Sequence, residues 1–345
     1  MLFRSSKLID ERNLPELLSR EEMLEILQKE EYGYLPEKPE SVTFHVEEDV
    51  IPKFCAGNAV CNKVTAKCVV KGKEFSFPFC ATLPTEKGKY PFFIHINFRP
   101  ENPDRYMPTE EIIDNGFAVF SLWYEDITSD DGDFTDGLSG VLFENGVRGD
   151  TDPGKIAMWA WAVQRVMDYA QTLGENLDLE CGIVCGHSRL GKTALFTAAT
   201  DERFAFSYSN NSGCSGDALA RGTNGERVAD ICRNFPFWFC ENYKKYCNNE
   251  ENMPFDQHYL LASIAPRKVL VGSAAEDAWA DPVSQFLCCV GAGEAFEKPF
   301  KYENRLPQID DKYFNGDLGF HMRKGKHYFS RKDWQRLIEF VNLHR

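Results

Sequence analysis

The sequence contains 345 residues, of which 43% are hydrophobic and 27% are charged, and this globular balance excludes a disordered or fibrous chain. No apolar run approaches the about 20 residues that a membrane-spanning helix requires. The formal net charge of −14 disfavours nucleic acid and an anionic membrane surface as partners, because both are polyanions.

The N-terminal region predicts helix followed by antiparallel strands. Within a segment at about residues 10–36, apolar residues spaced among charges indicate one or two amphipathic helices; they are Leu14, Leu17, Leu18, Met23, Ile26 and Leu27. Alternating residues at 42–46 and 62–79 then predict strands. The first residues lack the apolar core of a signal peptide, and the twelve cysteines form no C-x-x-C pair. We therefore expect buried thiols in a cytoplasmic protein, or a secreted one if a leader was removed.

Beyond residue 90 the pattern changes to short apolar runs separated by helical segments. The runs lie at 92–96, 117–123, 181–185, 204–208 and 269–272. Continuous apolar runs of this length are typical of parallel strands that are buried on both faces. One helix is predicted after Asp152, a candidate cap, and Pro153, and another after Ser330 and Asp333. We expect a single α/β domain over residues 1–345, with helices on both faces of a mostly parallel sheet.

The segment at 183–192, IVCGHSRLGK, combines an apolar strand, a tight turn and the start of a helix. This arrangement presents a nucleophilic serine in α/β-hydrolases, and free N–H groups at the helix start would stabilise an oxyanion beside Ser188. The spacing departs from G-x-S-x-G, because Leu190 stands at the second glycine position and Gly191 follows it. Ser188 is therefore a candidate nucleophile; the alternative is a serine that only joins strand to helix.

A serine nucleophile needs an acid and a base, which follow it in that order in this fold. The histidines that follow Ser188 are His258, His321, His327 and His344. Of these, His321 and His327 lie in the predicted loop before the last helix, where the base belongs. The acid candidates after the run at 269–272 are Glu276, Asp277 and Asp281, and spacing alone does not choose among them. An Asp- and Gly-rich loop at 124–154 is expected at the pocket rim.

Several separated motifs resemble the glucuronoyl esterases, carbohydrate esterase family 15. The run GHSRLGK at 186–192 resembles the family signature G-C-S-R-x-G-K, and NSGCSG at 211–216 is similar to the glycine-rich segment after the next strand. The runs AEDAWADP at 275–282 and GKH at 325–327 are similar to the acid and histidine loops of bacterial members. The resemblance covers nearly the whole chain and implies an α/β-hydrolase fold.

By this resemblance Ser188 is the nucleophile, His327 is the base, and Arg189 is a donor in the oxyanion hole. The alternative for Arg189 is a helix-start arginine that pairs with a surface acid. The resemblance also implies three sugar-binding residues, which are Lys192, Glu226 and Trp279. An aromatic face beside polar groups suits a carbohydrate site.

Two positions depart from the family pattern. Asn211 stands where many members carry the acid, and an amide cannot balance an imidazolium. Other bacterial members use the aspartate of a D-x-W loop, so the resemblance implies Asp277 as the acid, with Glu276 as the fallback. His187 replaces the cysteine that usually precedes the serine, and we expect it to be packed rather than to line the pocket.

The sequence thus predicts a serine carboxylesterase that hydrolyses esters of glucuronic or 4-O-methylglucuronic acid through a Ser-His-Asp triad and an acyl-enzyme. The expected partner is a small carbohydrate ester, with no cofactor and no metal. One alternative is a deacetylase of xylo-oligosaccharides, an acetyl xylan esterase. Another is a catalytically weak carbohydrate-binding protein of the same fold, which Asn211 allows if neither Asp277 nor Glu276 reaches His327.

Overall fold

A ten-stranded mixed sheet runs through the computed structural model, which describes residues 8, 9 and 12–345 of the chain. In chain order the strands are β1 (Ser41–Glu47), β2 (Ala59–Val70), β3 (Lys73–Pro84), β4 (Tyr90–Asn97), β5 (Ala118–Trp123), β6 (Leu177–His187), β7 (Phe206–Asn210), β8 (Lys268–Ala274), β9 (Lys312–Tyr313) and β10 (Leu318–Arg323). The α-helices are α1 (Arg20–Leu27), α2 (Thr109–Asp114), α3 (Gly137–Leu142), α4 (Lys155–Gln171), α5 (Arg189–Thr200), α6 (Val228–Asn234), α7 (His258–Ala262), α8 (Pro282–Ala292) and α9 (Arg331–His344). Within the described ranges, no helix has both the length and the apolar character needed to cross a membrane.

The sheet begins with antiparallel strands and continues with parallel ones. Its spatial order is β1-β2-β3-β5-β4-β6-β7-β8-β10-β9. The strands β1, β2 and β3 pair antiparallel, as the alternation at 42–46 and 62–79 predicts. From β5 to β10 every neighbouring pair is parallel. The mostly parallel centre confirms the predicted α/β-hydrolase fold class.

Neighbouring residues of the central strands enter two separate cores. In β4, Phe92 and Ile94 belong to the core that includes α4 and α5, whereas Phe93 belongs to the core that includes α2 and α9. Successive side chains of a strand point to opposite faces, so the helices cover both faces of the sheet. The sheet is therefore the middle layer of three.

The start of α9 agrees with its sequence prediction and the start of α4 does not. Ser330 caps α9, because its side chain accepts a hydrogen bond from the Asp333 N–H while the Asp333 carboxylate accepts from Ser330. At α4 the N-cap residue is Gly154, and no side chain caps the helix. The Asp152 carboxylate instead accepts from the Gly149 N–H at 2.6 Å. The prediction that Asp152 caps this helix was therefore wrong.

The N-terminal helix is shorter than the segment at about 10–36. A capping box between Ser19 and Glu22 starts α1 at Arg20, and a π-helical turn, Gln28–Tyr32, continues it. Residues 13–19 have no regular secondary structure, and residues 10 and 11 lie outside the described part of the chain.

The sequence pattern does not predict the strand β10, and the predicted loop position of His321 is therefore wrong. This histidine lies inside β10 rather than in a loop, and it is 1% exposed. Its Nε2 atom lies 3.1 Å from the Tyr208 hydroxyl. Burial lowers the pKa of His321 to about 3, which keeps the imidazole neutral. A buried histidine in a strand cannot act as the base at the rim of the sheet.

Four polar residues follow the carboxyl ends of four adjacent parallel strands. Ser188 follows β6, Asn211 follows β7, Asp277 lies three residues beyond β8, and His327 lies four residues beyond β10. Parallel strands bring their carboxyl ends to one edge of the sheet, where ligands bind in open α/β folds. This edge is where the candidate site lies.

Candidate active site

Ser188 lies in the turn between β6 and α5. Its φ of 55° and ψ of −130° are sparsely populated for a non-glycine residue, and such strain occurs in turns that expose a nucleophile. Gly186 allows the turn, because a Cβ atom there would lie 2.1 Å from the Leu190 carbonyl oxygen. A Cβ atom on Gly191 would lie 2.9 Å from Ser209 Oγ, so the second glycine is required one residue later than usual. The spacing at Leu190 is therefore compatible with a nucleophile turn.

His327 is held by Asp277 next to Ser188. The His327 Nδ1 atom lies 2.6 Å from Asp277 Oδ2, and the aspartate side chain is 3% exposed. The other oxygen, Oδ1, accepts from the Ala280 N–H at 3.3 Å. A buried carboxylate in this contact fixes the Nδ1–H tautomer, which leaves Nε2 free to take a proton. Ser188 and His327 line the same two cavities.

The other two acid candidates have different contacts. Asp281 caps α8, where its carboxylate accepts from the Ser284 N–H at 3.2 Å and from the Ser284 hydroxyl at 2.6 Å. The backbone N–H of Glu276 donates to the Gly325 carbonyl oxygen at 2.9 Å, which joins the acid loop to the histidine loop. Asp277, the residue that the D-x-W resemblance implies, is the one of the three whose carboxylate contacts His327.

Arg189 is the first residue of α5, and its guanidinium is paired beside Ser188. Its Nη1 group donates to Asp130 Oδ2. Arg189 therefore does pair with an acid, which was the alternative that the sequence left open. This acid is not a surface residue, however, because the Asp130 side chain is only 9% exposed. The Trp238 ring lies 4.7 Å from the guanidinium carbon. Arg189 lines both cavities, so its cationic group lies within reach of a substrate bound at Ser188.

The first of the two cavities, the Lys192 cavity, has a volume of about 170 Å³. Its lining residues are Ser188, Arg189, Lys192, Asn211, Ser212, Gly213, Glu226, Phe235, Trp238, Trp279, Ala280 and His327. The Lys192 ammonium is buried and donates to Ser212 O at 2.7 Å, to Cys214 O and to Glu226 Oε2 at 3.4 Å. An ammonium has three protons, so all of them have protein acceptors.

The loop of Glu226 is tied to the loop of Trp279. The Glu226 N–H donates to Trp279 O at 2.8 Å, and the Asn224 N–H donates to Asp281 Oδ2 at 2.8 Å. Trp279 lines this cavity and is 50% exposed, so part of its side chain is accessible to a ligand. The structure thus brings together the three residues that the resemblance assigns to sugar binding, Lys192, Glu226 and Trp279.

The second cavity, the Tyr106 cavity, shares Ser188, Arg189 and His327 with the Lys192 cavity and has a volume of about 360 Å³. Its lining residues are His95, Phe98, Arg99, Asp104, Tyr106, Met107, His187, Ser188, Arg189, His327, Tyr328, Phe329 and Trp334. Tyr106 and Tyr328 are 47% and 44% exposed at its rim. Residues 98–107 carry no sequence motif, so nothing in the sequence indicates this cavity.

His187 both packs against the site and lines the Tyr106 cavity. Its ring centroid lies 4.3 Å from that of His327. Its Nδ1 atom lies 2.7 Å from Asn210 Oδ1 and 3.2 Å from the Asn210 carbonyl oxygen, so Nδ1 carries the proton. Burial, and next to it the neighbouring His327, lowers the pKa of His187 to about 3. His187 is therefore a neutral neighbour of His327.

The chain is similar to known carbohydrate esterases. A family model described as "Glucuronyl esterase, fungi" matches residues 66–298. Carbohydrate esterase MZ0003 of an unknown prokaryotic organism is 37% identical over 249 residues, which make up 68% of this chain. The chain spans 55% of the length of that curated relative.

Solved structures of glucuronoyl esterases are also similar to this chain. The glucuronoyl esterase from Solibacter usitatus has a TM-score of 0.83 and 29% identity, over 94% of this chain and 91% of that one. A mutant glucuronoyl esterase from Sporotrichum thermophile, in complex with methyl 4-O-methyl-β-D-glucopyranuronate, has a TM-score of 0.71 and 25% identity, over 94% of this chain and 80% of that one.

Proposed function

The chain belongs to the glucuronoyl esterase family, and we propose that it is a serine esterase that hydrolyses esters of glucuronic or 4-O-methylglucuronic acid. The observation that carries this proposal is the 2.6 Å contact between His327 Nδ1 and Asp277 Oδ2 beside Ser188. The ester bound in the Sporotrichum enzyme supports the substrate class. The same contact argues against a catalytically weak binding protein, because His327 has its acid.

In the proposed reaction, Ser188 Oγ attacks the ester carbonyl carbon while its proton passes to His327 Nε2. Asp277 stabilises the imidazolium that forms. The free N–H groups at the start of α5 and the Arg189 guanidinium stabilise the negative charge on the carbonyl oxygen. The ester C–O bond then breaks, and His327 returns the proton to the leaving alcohol. His327 next takes a proton from a water molecule, whose oxygen attacks the acyl carbon; the bond to Ser188 Oγ then breaks, His327 returns the proton to Ser188, and the uronic acid is released.

The two cavities suit the two sides of such an ester. On the acyl side, the Lys192 cavity offers the exposed Trp279 ring and the polar groups of Lys192 and Glu226, a composition typical of sugar sites. On the alcohol side, the Tyr106 cavity is larger and also has Ser188 in its lining. We also place the protein in a reducing compartment, a proposal supported by its twelve free thiols.

The test compares initial rates on benzyl glucuronate and on an acetylated xylo-oligosaccharide, for the wild type and for Ser188→Ala. We expect cleavage of the glucuronate and its loss in Ser188→Ala. Acetate release without glucuronate cleavage would replace the proposal with a deacetylase. Glucuronate cleavage that survives in Ser188→Ala would refute the serine mechanism.

A further inference from the structure

We propose that Asp130 is a positioning residue that acts through Arg189: it holds the guanidinium at Ser188 in the orientation that the oxyanion requires. Asp130 does not contact the reacting atoms in this scheme. The inference rests on the proposed ester hydrolysis at Ser188, but it does not depend on which acyl group the ester carries.

The Asp130 carboxylate is fixed by donors from three different parts of the chain. Its Oδ2 atom accepts from the Tyr124 hydroxyl at 2.9 Å and from Arg189 Nη1. Its Oδ1 atom accepts from Trp238 Nε1 at 2.8 Å. Tyr124 follows β5, Trp238 follows α6, and Arg189 begins α5. A nearly buried carboxylate with both oxygens engaged has a single orientation.

Asp130 also supplies the directional contact of Arg189. Among residues 8, 9 and 12–345 it is the carboxylate that pairs with this arginine, and Arg189 Nε has no hydrogen-bond partner there. The other neighbours of the guanidinium are aromatic rings: Trp238 at 4.7 Å, Phe235 at 5.3 Å and Phe98 at 5.6 Å. Ring faces attract a cation but do not fix its orientation as hydrogen bonds do.

This arrangement matters because the oxyanion exists only during the reaction. An arginine side chain has several rotatable bonds, and ordering it at the moment of reaction would cost entropy. A guanidinium that is already in place stabilises the developing charge without that cost. The Asp130 carboxylate therefore contributes through the position of Arg189, although its own charge is opposite to the one required.

Loss of this positioning should lower kcat and leave KM within about threefold, because a ground-state ester carries no oxyanion. Removing an oxyanion donor outright typically lowers kcat by about 10²–10³-fold. We expect Asp130→Asn to lower kcat by about 10–100-fold, since Arg189 remains but is less well held. Tyr124→Phe removes one donor to Asp130 and should lower kcat by about threefold to tenfold.

The experiment measures kcat and KM on benzyl glucuronate and on 4-nitrophenyl acetate. The proteins compared are the wild type and the single variants Asp130→Asn, Tyr124→Phe and Arg189→Ala. Asp130→Asn and Tyr124→Phe are each also combined with Arg189→Ala. Asp131→Asn is the matched control, because Asp131 is the next residue in the same loop and is exposed. Circular dichroism melting shows which variants are folded. If Asp130→Asn is unfolded, Tyr124→Phe replaces it in the test.

The decisive result is the double-mutant cycle. If Asp130 acts through Arg189, then Asp130→Asn changes kcat by less than twofold once Arg189 is alanine. A loss of the same size in both backgrounds would overturn the inference, as would an unchanged kcat in the single mutants. Hydrolysis of the acetate but not of the glucuronate would refute the proposed substrate, while the cycle on the acetate still tests Asp130.

Discussion

Glu31 is a buried carboxyl group whose ionisation should lower the stability of the fold. It lies in the π-helical turn Gln28–Tyr32 and is fully buried. Gln257 Nε2 donates to its two oxygens at 3.0 and 3.2 Å, while Gln257 Oε1 is buried without a partner among the described residues. Glu31→Gln removes the charge and supplies an N–H group that can donate to Gln257 Oε1. We therefore expect this variant to be more stable at alkaline pH.

The size of the effect follows from the pKa. Burial is the main cause that raises the pKa of Glu31 from 4.5 to about 7. Because the value in the folded state is the higher one, the contribution of Glu31 to stability is complete below pH 4.5 and is lost as the pH rises through 7. The full loss is about 3 kcal/mol at about 1.4 kcal/mol per pH unit, and most of it falls between pH 5 and pH 8.

Urea unfolding at pH 5 and at pH 8 measures this difference. The free energy of unfolding of Glu31→Gln, relative to the wild type, should rise by about 2 to 3 kcal/mol from the lower to the higher pH. Glu21→Gln, on an exposed position of α1, is the matched control and should change by less than about 0.5 kcal/mol. A relative stability of Glu31→Gln that is the same at both pH values would refute the reasoning, because the buried carboxyl would then not titrate in this range.

Two further predictions concern the edge of the sheet that carries the site. Asp277→Asn should lower kcat by about 10³–10⁴-fold, because an amide favours the wrong tautomer of His327. Initial rates of ester hydrolysis measure this loss. A loss below tenfold would show that another residue is the acid. Asn211→Gly should change the melting temperature by less than about 4 °C. Glycine adopts the φ of 49° at this position without strain, and both side-chain amide atoms of Asn211 are buried without a partner in the described chain. A larger decrease would indicate that the amide makes a contact that stabilises the fold.

The central strands and the serine turn could be predicted because their signals are local. A buried parallel strand is a continuous apolar run, and the turn at Ser188 needs small residues at fixed positions. The strand β10 lacks that signal, since it contains His321 and Arg323. These buried polar side chains have partners outside the strand: Tyr208 contacts His321, and Asp333 accepts from Arg323 at 2.7 Å. Such partners are not visible in a run of sequence.

Asp130 was not predicted for a related reason. It is one of several aspartates in the segment 124–154, and that segment could be identified only as an Asp- and Gly-rich loop. What distinguishes Asp130 is the convergence of Tyr124, Trp238 and Arg189 on its two oxygens. Trp238 is more than a hundred residues away in the chain, so only the folded structure brings these groups together.

The position of the acid shows most clearly where the order of residues stops being informative. The rule that the acid lies between the serine and the histidine is satisfied by Asn211 after β7 and by Asp277 after β8 alike. These strands are adjacent and parallel, and the Asn211 N–H donates to Gly272 O at 2.8 Å. Both positions therefore lie at the same edge of the sheet, next to the loop that carries His327. Either position could carry an acid without a change in fold, and of the two it is Asp277 that has a carboxylate, which contacts the His327 imidazole.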